Sequence, residues 1–205
     1  MGAASANSKN TKRAPIRVVL LGPPGAGKGT QAKILAAKYS LAHISTGEIL
    51  RAEIASGSDL GKFAQSLMDK GNLVPDETVL KIIRKRIIEP DCVYGFVLDG
   101  FPRTVPQAEA LDKILDEVCS ALTAVIDIKV SDQVLLDRIR KRAAGGSGRV
   151  DDDVAVAANR LKVYWDQTAP VTAYYKSKNR VTDVDGLGSI EEVTALIAAV
   201  AAGGK

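Results

Sequence analysis

The sequence predicts an α/β fold in three layers, a parallel β-sheet flanked by helices on both faces. Three observations carry that expectation. Short apolar runs alternate with longer stretches of helical spacing. The first run stops at a Gly/Pro cluster that opens directly into a helix-forming stretch. The chain also has 46% hydrophobic and 25% charged side chains over 205 residues, the balance of an ordinary domain able to bury one substantial core. Strands joined by helices require right-handed crossovers and parallel pairing, with functional groups gathered at the strands' carboxyl ends.

Taken in order, residues 1–15 are small, polar and basic and lack an apolar signal core, so they read as a disordered tail. Gly2 is in place for myristoylation, but Ala6 stands where Ser or Thr is required. A mitochondrial targeting segment stays open beside a cytoplasmic location. Ile16 to Leu21 is the first strand, and Lys28 to Tyr39 the helix that follows its turn. Ile44 ends a short strand. Thr46 to Glu89 is nearly all helical and interrupts the alternation. Further apolar runs are Phe96 to Leu98, stopping at Asp99, then Leu122 to Ile128 and Arg180 to Val184. Lys141 to Asp153 is glycine-rich and charged, and with Thr46 to Glu89 it forms the second of two insertions over the sheet's ligand edge. Tyr164, Trp165 and Tyr174 have apolar helical neighbours and read as core.

The formal charge is +4, but Lys9, Lys12, Arg13 and Arg17 lie in an acid-free start, leaving 24 basic and 24 acidic side chains in the rest. A neutral body offers no basic face for nucleic acid, so none is expected as a partner. No apolar run approaches the roughly 20 residues of a membrane span, so a soluble protein with no membrane partner is expected. Cys92 and Cys119 have neither zinc-ligand spacing nor disulfide density, which fits a reducing compartment and two small core hydrophobes.

Gly22-Pro23-Pro24-Gly25-Ala26-Gly27-Lys28-Gly29-Thr30 lies between a predicted strand and helix, the context of a phosphate loop. Glycines allow close approach and unusual torsions, so that the amides from Gly25 to Thr30 and the helix N-terminus converge on phosphate oxygens. Lys28 adds a point charge. The general pattern has Ser or Thr directly after the lysine, whereas Gly29 follows here and Thr30 comes one residue later. Direct hydroxyl coordination of Mg²⁺ is therefore not assumed.

From Ser45 the chain reads Ser-Thr-Gly-Glu-Ile-Leu-Arg, and from Asp99 Asp-Gly-Phe-Pro-Arg-Thr-Val-Pro-Gln. With the phosphate loop these strings resemble the adenylate kinase family, of the short-lid type among nucleoside monophosphate kinases, from about Ile16 to Ile197. The resemblance implies a P-loop nucleoside triphosphate hydrolase type of fold and transfer of the γ-phosphoryl group of ATP to AMP, giving two ADP. It implies a core of residues 16–44, 90–140 and 154–205, an AMP-binding insertion of 45–89 and a lid of 141–153. Arg51 and Arg103 match positions that hold the AMP phosphate, Thr46 and Gln107 match contacts to its adenine, and Gly100, Leu73 and Val74 match the acceptor pocket. A guanidinium presents a rigid fork of donors to a phosphate, and an amide can both donate to and accept from an adenine edge. Magnesium is expected with ATP, held by phosphates and waters and oriented by Asp99. His43, the only histidine, reads as structural, because a phosphate largely ionised at neutral pH needs no general base.

Arg138-Ile139-Arg140-Lys141-Arg142 leads through glycines to Arg149-Val150-Asp151-Asp152, with Arg160 beyond. By resemblance Arg138 stacks on the ATP adenine, Arg142 serves ATP, and Arg149 and Arg160 serve AMP. Arg103, Arg142, Arg149 and Arg160, with Lys28, surround the transferring group, while Asp151 and Asp152 pair with the arginines as the lid closes. Arg140 and Lys141 read as surface charges. Longer-lid relatives can carry four zinc cysteines; this segment has none, so no structural metal is expected. A monomer is expected. Kinases acting on UMP or CMP share the architecture, but the pyrimidine relatives usually have Ala and Asn where Thr46 and Gln107 stand. GTP-using AMP kinases share most of the strings, and a nucleotide-binding module without catalysis is the alternative of another class.

Overall fold

The computed structural model describes residues 14–118, 120–144 and 154–203. The lid glycines, Arg149, Asp151, Asp152, Cys119 and the first 13 residues of the tail lie outside the described residues, as does the side chain of Arg142. The order is β1 (Ile16–Leu21), α1 (Lys28–Tyr39), β2 (Ala42–Ser45), α2 (Thr46–Ser56), α3 (Asp59–Met68), α4 (Asp76–Ile87), β3 (Gly95–Asp99) and α5 (Val105–Glu117). Then come β4 (Ala124–Lys129), α6 (Asp132–Ala144), α7 (Val154–Val163), a π-helical turn (Tyr164–Thr168), α8 (Ala169–Ser177), β5 (Val181–Asp185) and α9 (Ile190–Ala201).

The five strands are all parallel, in the order β2-β3-β1-β4-β5. Alternate residues of the central strands serve opposite faces. Val19, Leu21, Leu98 and Val125 pack with Ile83, Leu111, Val171 and Tyr175, while Val18, Leu20, Val97 and Ile126 pack with Leu35, Leu135, Val193 and Ile197. Strands covered on both faces read as continuous apolar runs, which is why β1, β3 and β4 are visible in the sequence. This is the three-layer α/β architecture that the alternating pattern predicts. β1 lies between β3 and β4; the crossover from β1 runs to β2 on one side and that from β3 passes to β4 on the other, so a crevice opens at the carboxyl end of β1.

Two predicted strand starts move inward. Leu122 and Thr123 precede β4, because the Thr123 N–H and hydroxyl oxygen are spent on Arg17. The Arg180 N–H closes the end of α8 onto the Tyr175 carbonyl, so β5 begins one residue later. The reading of Trp165 as core is corrected: it is 50% exposed. It sits in the π-helical turn, whose wider winding turns Tyr164 and Thr168 inward and leaves Trp165 outside. Tyr174 is partly buried with its hydroxyl donating to Asp112 at 2.9 Å. Cys92 is buried, and burial pushes its thiol up to about 11, so it behaves as an inert core residue. No helix of the described residues is long and apolar enough to cross a membrane.

Candidate nucleotide site

β1 ends at Leu21, and the chain turns through Gly22 and Gly25 into α1, with φ values of 136° and 88° that only glycine adopts easily. At Gly25 a side chain would also meet the Leu135 carbonyl at 3.1 Å. Gly27, the N-cap of α1, has no side chain to satisfy the first helical amides, so the helix begins as an open row of donors. Lys28 folds back over the loop, its Nζ donating to the carbonyls of Gly22 at 2.6 Å and Pro23 at 2.9 Å. Burial pulls this ammonium down against the attraction of Asp99, Arg103 and Arg160 add to the fall, and the pKa is left at about 8.

Gly29 backs onto Asp99 at the end of β3, whose Oδ2 would lie 3.3 Å from a β-carbon at position 29. The missing hydroxyl after the lysine therefore has a steric and chemical counterpart: a carboxylate occupies that space. Burial alone would raise the Asp99 carboxyl, but His43, Lys28 and Arg103 outweigh it and hold it below the ordinary value. The His43 Nε2 is 3.9 Å from Asp99 Oδ2, too far for a hydrogen bond. Ser45 donates to the same oxygen at 3.3 Å and caps α2 by accepting from the Glu48 amide. Among the described residues no three of His, Cys, Asp and Glu converge to hold a metal ion directly. An ionised carboxylate, 15% exposed and beside the phosphate loop, fits a cation that keeps its waters.

The loop forms one wall of a cavity of about 300 Å³. Its other walls come from the acceptor strings and α7: Arg51 on α2, Asp99, Gly100 and Arg103 after β3, and Arg160. Arg103 donates from Nε to the Gly100 carbonyl at 2.8 Å, and Thr46 donates to the same carbonyl at 2.8 Å. Gly100 has φ 75°, and a β-carbon there would stand 3.0 Å from Arg103 Nη2 and 3.1 Å from Thr46 Oγ1. Arg51 lies with both terminal nitrogens 3.2 Å from where a Gly47 β-carbon would be, so that glycine lets the guanidinium lie flat on the helix start. Arg160 packs across Gly71, where an added β-carbon would be 2.9 Å from its Cγ.

A smaller cavity, about 40 Å³, adjoins the first through Gly47, Leu73, Gly100 and Arg103. Thr46, Leu50, Val74, Val79 and Gln107 line it. Gln107 is 2% exposed; its Oε1 accepts from the Arg103 amide at 2.8 Å and its Nε2 donates to Asp76 at 2.7 Å.

The structure thus brings Gly25, Gly27, Lys28, Gly29, Thr30, Arg51, Leu73, Arg103 and Arg160 to one cavity, and Thr46, Leu73, Val74, Gly100, Arg103 and Gln107 to its extension. Ala26 is buried beneath the loop. Arg138 stands apart from both, donating to the Gly186 carbonyl beyond β5 at 2.8 Å. Other residues at and around the cavity carry no sequence signal. Lys33 pairs with Glu48 at 2.7 Å across the rim. Asn159 on α7 donates to the Lys70 carbonyl at 2.7 Å and to Asn72 at 3.2 Å, tying the helix that carries Arg160 to the insertion. Tyr164, 7% exposed, is core as predicted and also a wall of the larger cavity.

A model of the adenylate kinase family matches residues 20–180. The chain is 52% identical over 187 residues to an adenylate kinase of Parvibaculum lavamentivorans, covering 90% of this chain and 91% of that protein. It is 48% identical over 188 residues to one from Stenotrophomonas maltophilia strain R551-3, covering 92% and 100%. It is also 47% identical over 187 residues to one from Sinorhizobium medicae, covering 89% and 97%.

Proposed function

The chain belongs to the adenylate kinase family, and from that premise we propose how its residues carry the reversible transfer of the γ-phosphoryl group of ATP to AMP. The observation that carries the reading is the single cavity joining the phosphate loop to Arg51, Arg103 and Arg160, with an apolar extension ending in Thr46 and Gln107. Nucleotides ATP, AMP and ADP are the ligands of such a site.

The amides from Gly25 to Thr30 cradle the β- and γ-phosphates, and Lys28 leaves the loop carbonyls to bridge them. Arg51 and Arg103 grip the AMP phosphate, while Leu73, Val74 and Gly100 shape the pocket for its adenine beside Thr46 and Gln107. An oxygen of the AMP phosphate attacks the γ-phosphorus in line, through a loose transition state whose charge spreads over the equatorial oxygens. Lys28, Arg103 and Arg160, with Arg142 and Arg149 of the lid segment, stabilise that charge, each contact contributing on the order of a few kcal/mol. Burial of the substrates by the insertion (45–89) and the lid (141–153) excludes water, which would otherwise divert the phosphoryl group. Arg138 is proposed to turn onto the ATP adenine from its Gly186 contact. Asp99 would hold the waters of a magnesium ion bound with ATP, and that ion would supply neutralisation of phosphate charge. We further propose a monomer in the cytoplasm, with a catalytic unit of 16–205 that does not depend on the tail.

A coupled assay offering AMP, UMP and CMP in turn, with ATP as donor, tests the acceptor. A strong preference for AMP is expected, and a preference for UMP refutes the roles given to Thr46 and Gln107. GTP in place of ATP tests the donor in the same format.

A further inference from the structure

The Gln107 amide is held at both ends. The Arg103 backbone N–H can only donate, so the atom it meets at 2.8 Å is the carbonyl Oε1. An ionised Asp76 can only accept, so the atom it meets at 2.7 Å is Nε2. Asp76 cannot turn away, because its second oxygen accepts the Thr104 hydroxyl at 2.8 Å and Thr104 in turn caps α5. Turning the amide over would set Oε1 against a carboxylate and Nε2 against an N–H. Each end of the amide keeps one more hydrogen-bonding position, and Gln107 lines the small cavity.

We infer that Asp76 is a specificity-determining positioning residue, fixing the Gln107 amide in the orientation that reads a 6-aminopurine and rejects a 6-oxopurine. The inference rests on the reading of Gln107 as the contact to the acceptor base. Adenine presents an amino donor beside a ring-nitrogen acceptor. Hypoxanthine and guanine present a carbonyl beside a ring N–H, the same pattern with donor and acceptor exchanged. An amide free to turn over serves either base; a fixed one serves a single base. Asp76 does not touch the base in this scheme. It sits in the first turn of α4 and acts through Gln107.

The test is steady-state kcat/KM for AMP and for IMP with ATP as donor. IMP changes the 6-position and N1 without adding the 2-amino group of GMP, so shape is not confounded with hydrogen bonding. The wild type should favour AMP by about 10- to 100-fold, the discrimination of one good two-point contact. In Asp76→Asn the new side chain can offer Gln107 either its oxygen or Nδ2, so of the two contacts that set the amide's orientation only the Arg103 N–H still opposes turning it over. The AMP/IMP ratio should fall about fivefold, the worth of one hydrogen bond, while KM for ATP stays within about twofold. Thr104→Ser keeps the hydroxyl tie and the cap of α5, and should keep the ratio. If Asp76→Asn does not fold, Asp76→Ser, whose hydroxyl also donates or accepts, carries the same expectation. Equal losses for AMP and IMP at an unmoved ratio would make Asp76 a mere tie between α4 and α5 and overturn the inference alone. A wild type that uses IMP nearly as well as AMP overturns it without any variant. One that ignores both for UMP overturns the acceptor reading and this inference together.

Discussion

The position of Lys28 between loop carbonyls and arginines makes the affinity for triphosphate depend on pH in a calculable way. With its pKa at about 8 in the free protein, the ammonium is half neutral near pH 8 and about nine-tenths neutral one unit higher. A bound polyphosphate favours the charged form and raises the pKa again. Binding therefore takes up a proton, and affinity is full below pH 8 and lost as pH rises through the free-protein value. The ligand's own charge is constant in this range, since its phosphate pKa lies near 6. Linkage then sets the loss between pH 7 and pH 9 on the order of tenfold. Titration calorimetry with a non-hydrolysable ATP analogue, run at pH 8.5 in buffers of different ionisation enthalpy, measures affinity and proton uptake together. Lys28→Arg supplies the control, because a guanidinium stays charged throughout and should flatten the profile whatever its absolute affinity. Constant affinity from pH 7 to 9 with no proton uptake in the wild type would refute the argument.

Two further outcomes follow from the same geometry. Gly100→Ala should lower stability by about 1–2 kcal/mol, the strain of a left-handed alanine, and raise KM for AMP about tenfold by pushing Arg103 and Thr46 off their shared carbonyl; thermal unfolding and AMP titration of the assay read the two effects. Asn159→Ala should reduce kcat/KM for AMP by about fivefold with little change in melting temperature, the loss expected of exposed hydrogen bonds worth about 1 kcal/mol, because it loosens α7 and Arg160 from residues 70–72.

What the sequence discloses here follows chain distance and backbone constraint. β1, β3 and β4 are legible because burial on both faces leaves unbroken apolar runs. β2 is four residues long with one apolar marker at Ile44, and β5 has exposed Thr182, Asp183 and Asp185, so both are faint. The phosphate loop is legible because positive φ values demand glycine at positions fixed by the turn itself. Arg51 and Arg103 are legible through the strings that surround them. Asp76 and Asn159 are not. Their partners stand 31 and 89 residues away, and neither residue type in a helix turn signals such a pairing. Trp165 misleads for a local reason: helical periodicity assumes an α-turn, and the chain makes a wider π-turn there.

The departure at Gly29 connects these levels. A loop of this kind ordinarily supplies a hydroxyl after its lysine, and the family resemblance points instead to Asp99 as the group that orients the metal's waters. Strand register places that carboxylate beside the loop. β3 pairs with β1 so that Asp99 stands opposite Leu20, one residue short of β1's end, and its carboxylate reaches the start of α1. A serine at position 29 would direct its hydroxyl at that carboxylate and use up the acceptor a hydrated cation needs. Glycine leaves room beside the oxygen, Lys28 and Arg103 help keep it ionised, and Ser45 donates to it from behind. The loop and the aspartate are thus one device split across strands β1 and β3, with the register of a parallel pair setting their separation.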